Sequence, residues 1–154
     1  MIKYFSNEFD WLMVKRNAIK LIDEQVKNND LLYGKSAIDF QEKLKKILNV
    51  KYIILTKSGT QSLVTALKCY GIGNGDKVIT TPLTFIATIN AIRLVGADPI
   101  FVDVKKDTWN IDENKIEEKI DNSVKAIISV DIFGNPCNYD KINEIGKKYN
   151  IPIV

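Results

Sequence analysis

From Lys51 onward, short apolar runs, polar turns and amphipathic stretches alternate regularly, and this pattern constrains the fold more than anything else in the chain. "YIIL" (52–55), "KVIT" (77–80), "PIFVDV" (99–104) and "KAIISVD" (125–131) read as strands, and "IPIV" (151–154) as the opening of another. Between them, Leu63, Ala66, Leu67 and Tyr70 recur at helical spacing, as do Ile86, Ile89, Ile92 and Val95, closed by Gly96. Ile116 and Ile120 predict a short helix, and Tyr139, Ile142, Ile145 and Tyr149 predict one ending near Asn150. Strands that are apolar on both faces must be covered on both faces, which predicts an α/β fold with a mainly parallel sheet flanked by helices. Ligands of such sheets sit beyond the carboxyl ends of the strands. That rule directs attention to Ser58-Gly59-Thr60, to the segment from Thr80 to Thr88, and to Asp131.

The first third has a different texture. Trp11, Val14, Ala18, Leu21 and Ile22 lie at helical spacing, and so do Phe40, Leu44, Ile47 and Leu48. "NNDLLYGKS" between them is loop-like, broken by Asn28, Asn29, Asp30 and Gly34. The expected organisation is a helical segment over 1–50 followed by an incomplete α/β domain over 51–154. Nothing resembles a linker, so a chain stopping inside a strand reads as a truncation.

Composition narrows the chemistry. The 154 residues contain no histidine, which excludes Ser-His hydrolysis, histidine acid–base catalysis and most zinc sites within this stretch. No metal site is expected. The 22 basic residues are scattered among 19 acidic ones without a basic stripe, so a nucleic-acid partner is not expected. No apolar run approaches the roughly 18 residues of a membrane span. "MIKYFSNEFD" lacks the apolar core of a signal peptide, which predicts a cytoplasmic protein. Cys69 and Cys137 read as two reduced thiols.

The Ser58-Gly59-Thr60 junction has two readings. A helix N-terminus leaves backbone N–H groups unpaired and carries positive potential, Gly59 lets an oxyanion approach closely, and Thr60 adds a hydroxyl. The plainer alternative is that Ser58 or Thr60 only caps the helix. The tripeptide is neither a P-loop nor a Gly-x-Gly-x-x-Gly turn.

The surrounding text is more specific. "SGTQSLVTALKCYGIGNGDKVITTPLTFIATINAIRLVGADPIFVDV", continuing through "IDENKIEEKIDNSVKAIISVDIFGNPCNYDKI", resembles the DegT-type sugar-nucleotide aminotransferases. The likeness extends weakly back to "YGKSAIDFQEKL". The resemblance implies the large domain of an aspartate-aminotransferase-like (fold type I) enzyme that uses pyridoxal 5′-phosphate and works as a homodimer. It implies that Gly59 and Thr60 bind the cofactor phosphate and that Phe85 stacks on the pyridine ring. Without the resemblance, Phe85 reads as a core aromatic on a helix's first turn. Asp131 stands where many relatives carry histidine, which puts in doubt any role there needing a neutral imidazole. It either accepts a hydrogen bond from cofactor or sugar, or caps the "FGNP" turn. Tyr33 and Gly34 match a loop near the active-site mouth in relatives, and an ordinary surface turn is the alternative.

The resemblance also implies a nucleotide-linked keto-sugar as substrate, with glutamate as amino donor, in amino-sugar synthesis for surface glycans. No catalytic residue is expected within the chain: the Schiff-base lysine and the aspartate that keeps the ring nitrogen protonated are expected beyond Val154. The stretch alone is therefore expected to be inactive, with "YIIL" left as an open edge. A sugar dehydratase of the same family and a non-catalytic α/β module binding a phosphorylated ligand remain alternatives.

Overall fold

The structure, a computed structural model, describes residues 7–154. Part of the N-terminal stretch read for a signal peptide, residues 1–6, lies outside the described residues. The chain divides into two compact units, one up to Leu55 and one over Thr56–Val154. In the first, α1 (Asn7–Lys27) and α2 (Lys35–Leu48) are joined by a turn, and Asn49 closes α2 in the left-handed region. The helical spacing is realised, but Trp11, Val14, Leu21, Ile22, Phe40, Ile47 and Leu48 all remain exposed.

The second unit carries the sheet. Strands β1 (Lys77–Thr80), β2 (Asp98–Phe101) and β3 (Val124–Ile127) run parallel in the order β2-β1-β3. Residues 151–154 extend it: Ile153 bridges Ile127 in parallel, and Val154 N–H donates to Ile127 O at 2.9 Å. Helices α3 (Gly59–Cys69) and α4 (Ile86–Leu94) connect into β1 and β2, and α5 (Tyr139–Tyr149) follows β3.

Successive strand residues face opposite ways, and the two cores follow from that. Val78, Ala126 and Ile128 join Leu67 and Ile92 on one side of the sheet. Ile79, Ile127 and Val102 join Ile111, Ile116, Ile142 and Ile145 on the other. β1 and β3 are thus used on both faces, as the apolar runs predict.

Several expected elements differ. "YIIL" forms no strand, with Tyr52 and Ile54 exposed, because a strand exists only as part of a ladder and this run has none among the described residues. The run expected over 99–104 ends at Phe101, since Val104 turns to pair antiparallel with Ile111. The helix expected around Ile116 is instead a pair of 3₁₀ turns, 113–115 and 117–119. Asp112 caps the first of these by accepting from Asn114 N–H, and the stretch is too short for an α-helix to repay its nucleation cost. Buried Glu113 ties the turn to Lys105 and, at 3.1 Å, to Asn138 Nδ2 just before α5.

Gly146 shows how closely α5 sits on the sheet's edge. A methyl group at this helical position would meet Ile151 O at 2.8 Å and Ile153 Cδ1 at 2.9 Å. In an open helix Gly→Ala gains about 1 kcal/mol; here overpacking against backbone costs about 1–3 kcal/mol. Gly146→Ala is therefore expected to lower the stability of the whole protein by up to about 2 kcal/mol, read as a fall in urea midpoint at unchanged slope.

Candidate functional site

At the start of α3 Ser58 caps the helix, and the cap leaves the first N–H groups unused. Ser58 is extended (φ −165°) and its Oγ accepts from Gln61 N–H at 3.2 Å, so Ser58 is the cap. Thr56 and Ser62 support it: their hydroxyls lie 2.6 Å apart, so one donates to the other and the other donates to Ser58 O. That arrangement serves Gln61 and Ser62 but leaves the N–H groups of Gly59 and Thr60 without partners among the described residues. The first turn of α3 holds no acidic side chain to neutralise its positive end.

The space in front of these groups is open. A Cβ on Gly59 would meet nothing within 4 Å, so protein packing does not demand a glycine there. A concavity of about 550 Å³ begins at this point, lined by Gly59, Thr60, Phe85, Thr88 and Val154 among others. Its size suits a small-molecule site. The structure thus brings Gly59, Thr60 and Phe85 into one place at the carboxyl end of the sheet. Phe85 is not a core aromatic: it is 77% exposed and occupies the N-cap of α4.

A larger concavity, about 970 Å³, lies around Tyr70, Lys125, Gly146 and Asn150. It gathers the C-terminal caps of α3 and α5, where carbonyls rather than N–H groups are unpaired. Chemistry, not volume, selects the smaller one.

Asp131 stands outside the lining of the Gly59 concavity. Its Oδ1 accepts from Cys137 N–H at 2.9 Å and from Tyr139 Oη at 3.0 Å, while its carbonyl accepts from Gly134 N–H. It therefore ties down the "FGNP" turn, one of the two readings of this residue. Burial raises its pKa, but the Cys137 and Tyr139 hydrogen bonds outweigh burial and hold it below the ordinary 3.8. The Cys137 thiol is pushed up to about 11 by burial and then by Asp131, which makes it a poor nucleophile.

Tyr33 and Gly34 belong to the first unit. Tyr33 is in the left-handed region (φ 50°) and donates to Gln41 Oε1 at 2.5 Å. Gly34 is the N-cap of α2, and a Cβ there would collide with the Asp30 carboxylate, which accepts from Lys35 N–H at 2.8 Å. This close approach gives the glycine a local reason.

Sequence reasoning reached the Thr80–Thr88 segment but not Thr88 itself, buried beside Phe85. The four-residue spacing of Thr84 and Thr88 was the available signal: their hydroxyls lie 2.8 Å apart.

With this geometry in hand, comparison with known proteins is decisive, since residues 13–154 match the DegT/DnrJ/EryC1/StrS aminotransferase family. The chain belongs to this family. It is 41% identical over 115 residues to the GDP-perosamine synthase of Escherichia coli O157:H7, covering 75% of this chain and 32% of that protein. Among solved structures it is similar to a DegT/DnrJ/EryC1/StrS aminotransferase from Brucella abortus, with TM-score 0.89 and 29% identity over 99% of this chain and 43% of the other. It is also similar to NtdA from Bacillus subtilis, solved with bound cofactor PMP, with TM-score 0.85 and 31% identity over 88% of this chain and 31% of that one. The chain thus spans less than half the length of each of these relatives. The family's α/β architecture is fold type I, and the parallel sheet with helices on both faces agrees with it. Among the described residues no helix is long and apolar enough to cross a membrane.

The depressed pKa of Asp131 carries a sign that can be tested in this family member. Its contribution to stability is fully present above 3.8 and is lost as pH falls through the lower folded-state value. The denaturant midpoints of wild type and Asp131→Ala should differ near neutral pH and converge in strong acid.

Proposed function

We propose that the whole protein is a pyridoxal 5′-phosphate-dependent aminotransferase acting on a nucleotide-linked keto-sugar, and that this stretch supplies the phosphate cradle and the ring-stacking face. The observation that carries the reading is the meeting of the unpaired Gly59 and Thr60 N–H groups with the exposed Phe85 ring in one concavity. The donor set suits a phosphate: two backbone N–H groups at an unneutralised helix N-terminus, a hydroxyl on Thr60, and open space where a Cβ on Gly59 would stand. Phe85 offers a flat apolar face, and stacking there holds the plane of a ring.

When bound, pyridoxal phosphate supplies an electron sink for the substrate's amino-bearing carbon. This chain's residues bind and orient it. Gly59 and Thr60 fix the phosphate end, Phe85 fixes the tilt of the ring, and Leu63 and Ala66 of α3 give the concavity an apolar wall. No lysine or carboxylate lines it among the described residues, so the groups that move protons would come from elsewhere in the whole protein. Asp131 acts by holding the turn after β3, and Tyr33 and Gly34 shape the entry to α2. The sugar-nucleotide substrate is supported by relatives such as the GDP-perosamine synthase and the dTDP-3-amino-3,6-dideoxy-alpha-D-galactopyranose transaminase of Aneurinibacillus thermoaerophilus, 40% identical over 80% of this chain. Glutamate as amino donor, a homodimer and a cytoplasmic location complete the proposal. The dimer is supported by exposed apolar side chains in the first unit, including Leu32 in the turn between α1 and α2 and Ile47 on α2.

The test is cofactor binding to the whole protein stripped of its cofactor. Thr60→Ala should weaken pyridoxal phosphate binding about tenfold or more, the loss expected for a hydrogen bond to a charged acceptor. Phe85→Ala should weaken it roughly three- to tenfold. Inorganic phosphate should compete with the cofactor in wild type and compete poorly in Thr60→Ala. Wild-type affinity in both variants would sink the assignment.

A further inference from the structure

We propose that Thr84 and Thr88 are positioning residues that hold the Phe85 ring over the cofactor; this rests on the reading that the Gly59 concavity takes pyridoxal phosphate. Phe85 sits at the N-cap of α4, a position that favours Ser, Thr, Asp or Asn, and it makes no capping hydrogen bond of its own. The helix start is secured instead around it. Thr84 and Thr88 flank the aromatic residue, and their hydroxyls lie 2.8 Å apart, closing a loop over Phe85. Within that loop Thr88 N–H donates to Phe85 O at 3.0 Å.

The upstream side is pinned as well. Thr81, 1% exposed, accepts from Leu83 N–H through its Oγ at 3.3 Å and so fixes the turn leaving β1. The segment from Thr81 to Thr88 is therefore held at both ends, while the ring it carries is 77% exposed. A side chain so exposed has few packing neighbours to choose its rotamer. Its direction depends on the backbone that bears it, and the hydroxyl pair is what fixes that backbone.

Thr88 links this clamp to the site directly, because it is 7% exposed and lines the same concavity as Gly59, Thr60 and Phe85. A hydroxyl buried at this depth has little access to water, so losing its Thr84 partner would leave it unsatisfied. The pair thus ties the residue before the N-cap to the first turn of α4, one hydroxyl on each side of Phe85 in sequence. An ordinary Ser or Asp at position 85 would start the helix equally well and would present no ring.

The experiment uses the whole protein, with pyridoxal phosphate as the probe and two readouts: its dissociation constant, and the circular dichroism induced in its absorption band by the asymmetric site. Thr84→Val and Thr88→Val preserve shape and remove the hydroxyls. Each should raise the dissociation constant roughly two- to tenfold and reduce the induced band per bound cofactor. Thr88→Ser restores the hydroxyl and should keep both at wild-type values. In a Phe85→Ala background, Thr84→Val should add no further loss, since the clamp acts only through the ring. The proposal is overturned if the valine variants match wild type in both readouts, or if Thr84→Val costs as much without the ring as with it. Failure of the wild-type protein itself to bind pyridoxal phosphate would overturn the proposed function, and this inference with it.

Discussion

The central strand β1 is the element on which the second unit depends. Its backbone is hydrogen-bonded along both edges, to β2 and to β3, and its side chains are buried on both faces. Val78 belongs to one core and Ile79 to the other, so a one-residue slip would exchange the two cores at once. Both the helices above and those below are thereby referred to one four-residue segment. Its carboxyl end is where Thr80 and Thr81 lead out towards Phe85. The position of Phe85 is consequently referred to the strand that is buried on both faces and paired on both edges.

The start of α3 depends on a different distribution of hydrogen bonds. A helix start must leave several N–H groups unpaired, and side chains decide which of them are satisfied. Here Ser58 serves Gln61, and the Ser58 carbonyl serves Ser62. The N–H groups that remain are those of Gly59 and Thr60, which face open space. The cap at this junction uses the later donors and leaves the earlier ones, so it does not stand in the way of the proposed anion site.

This explains how much was legible in the sequence. The parallel α/β class followed from strands apolar on both faces, and β1 is "KVIT" with no adjustment. Gly59 and Thr60 were singled out by the strand-to-helix junction and Phe85 by a resemblance, and the structure adds that the three share one concavity. "YIIL" was misread as a strand because composition reports the tendency to be extended, whereas pairing depends on a distant ladder. The 3₁₀ turns at 113–119 were missed for a related reason: Ile116 and Ile120 share a helical spacing, but Asp112, Lys105 and Asn138 decide the local geometry through side-chain contacts. Thr88 escaped notice because a threonine at helical spacing from another threonine looks like ordinary helix surface.

The turn after β3 extends the argument from single residues to the design of the whole carboxyl edge. Phe133 is held in the left-handed region (φ 54°), a conformation that costs a bulky residue on the order of 1–3 kcal/mol. It is 91% exposed, so burial returns almost nothing. What holds it is a ring of polar ties: Asn110 accepts from Ile132 N–H and donates to Asn135 O, Asn135 donates to Thr108 O, and Asp131 receives Cys137 and Tyr139. Thr84 and Thr88 do the same for Phe85 with a single hydroxyl pair. At both loops an exposed aromatic ring stands on backbone fixed by polar side chains rather than by apolar packing. A sheet edge built this way keeps its aromatic faces open to a ligand without giving up a defined geometry, and the apolar cores beneath are left free to supply the stability.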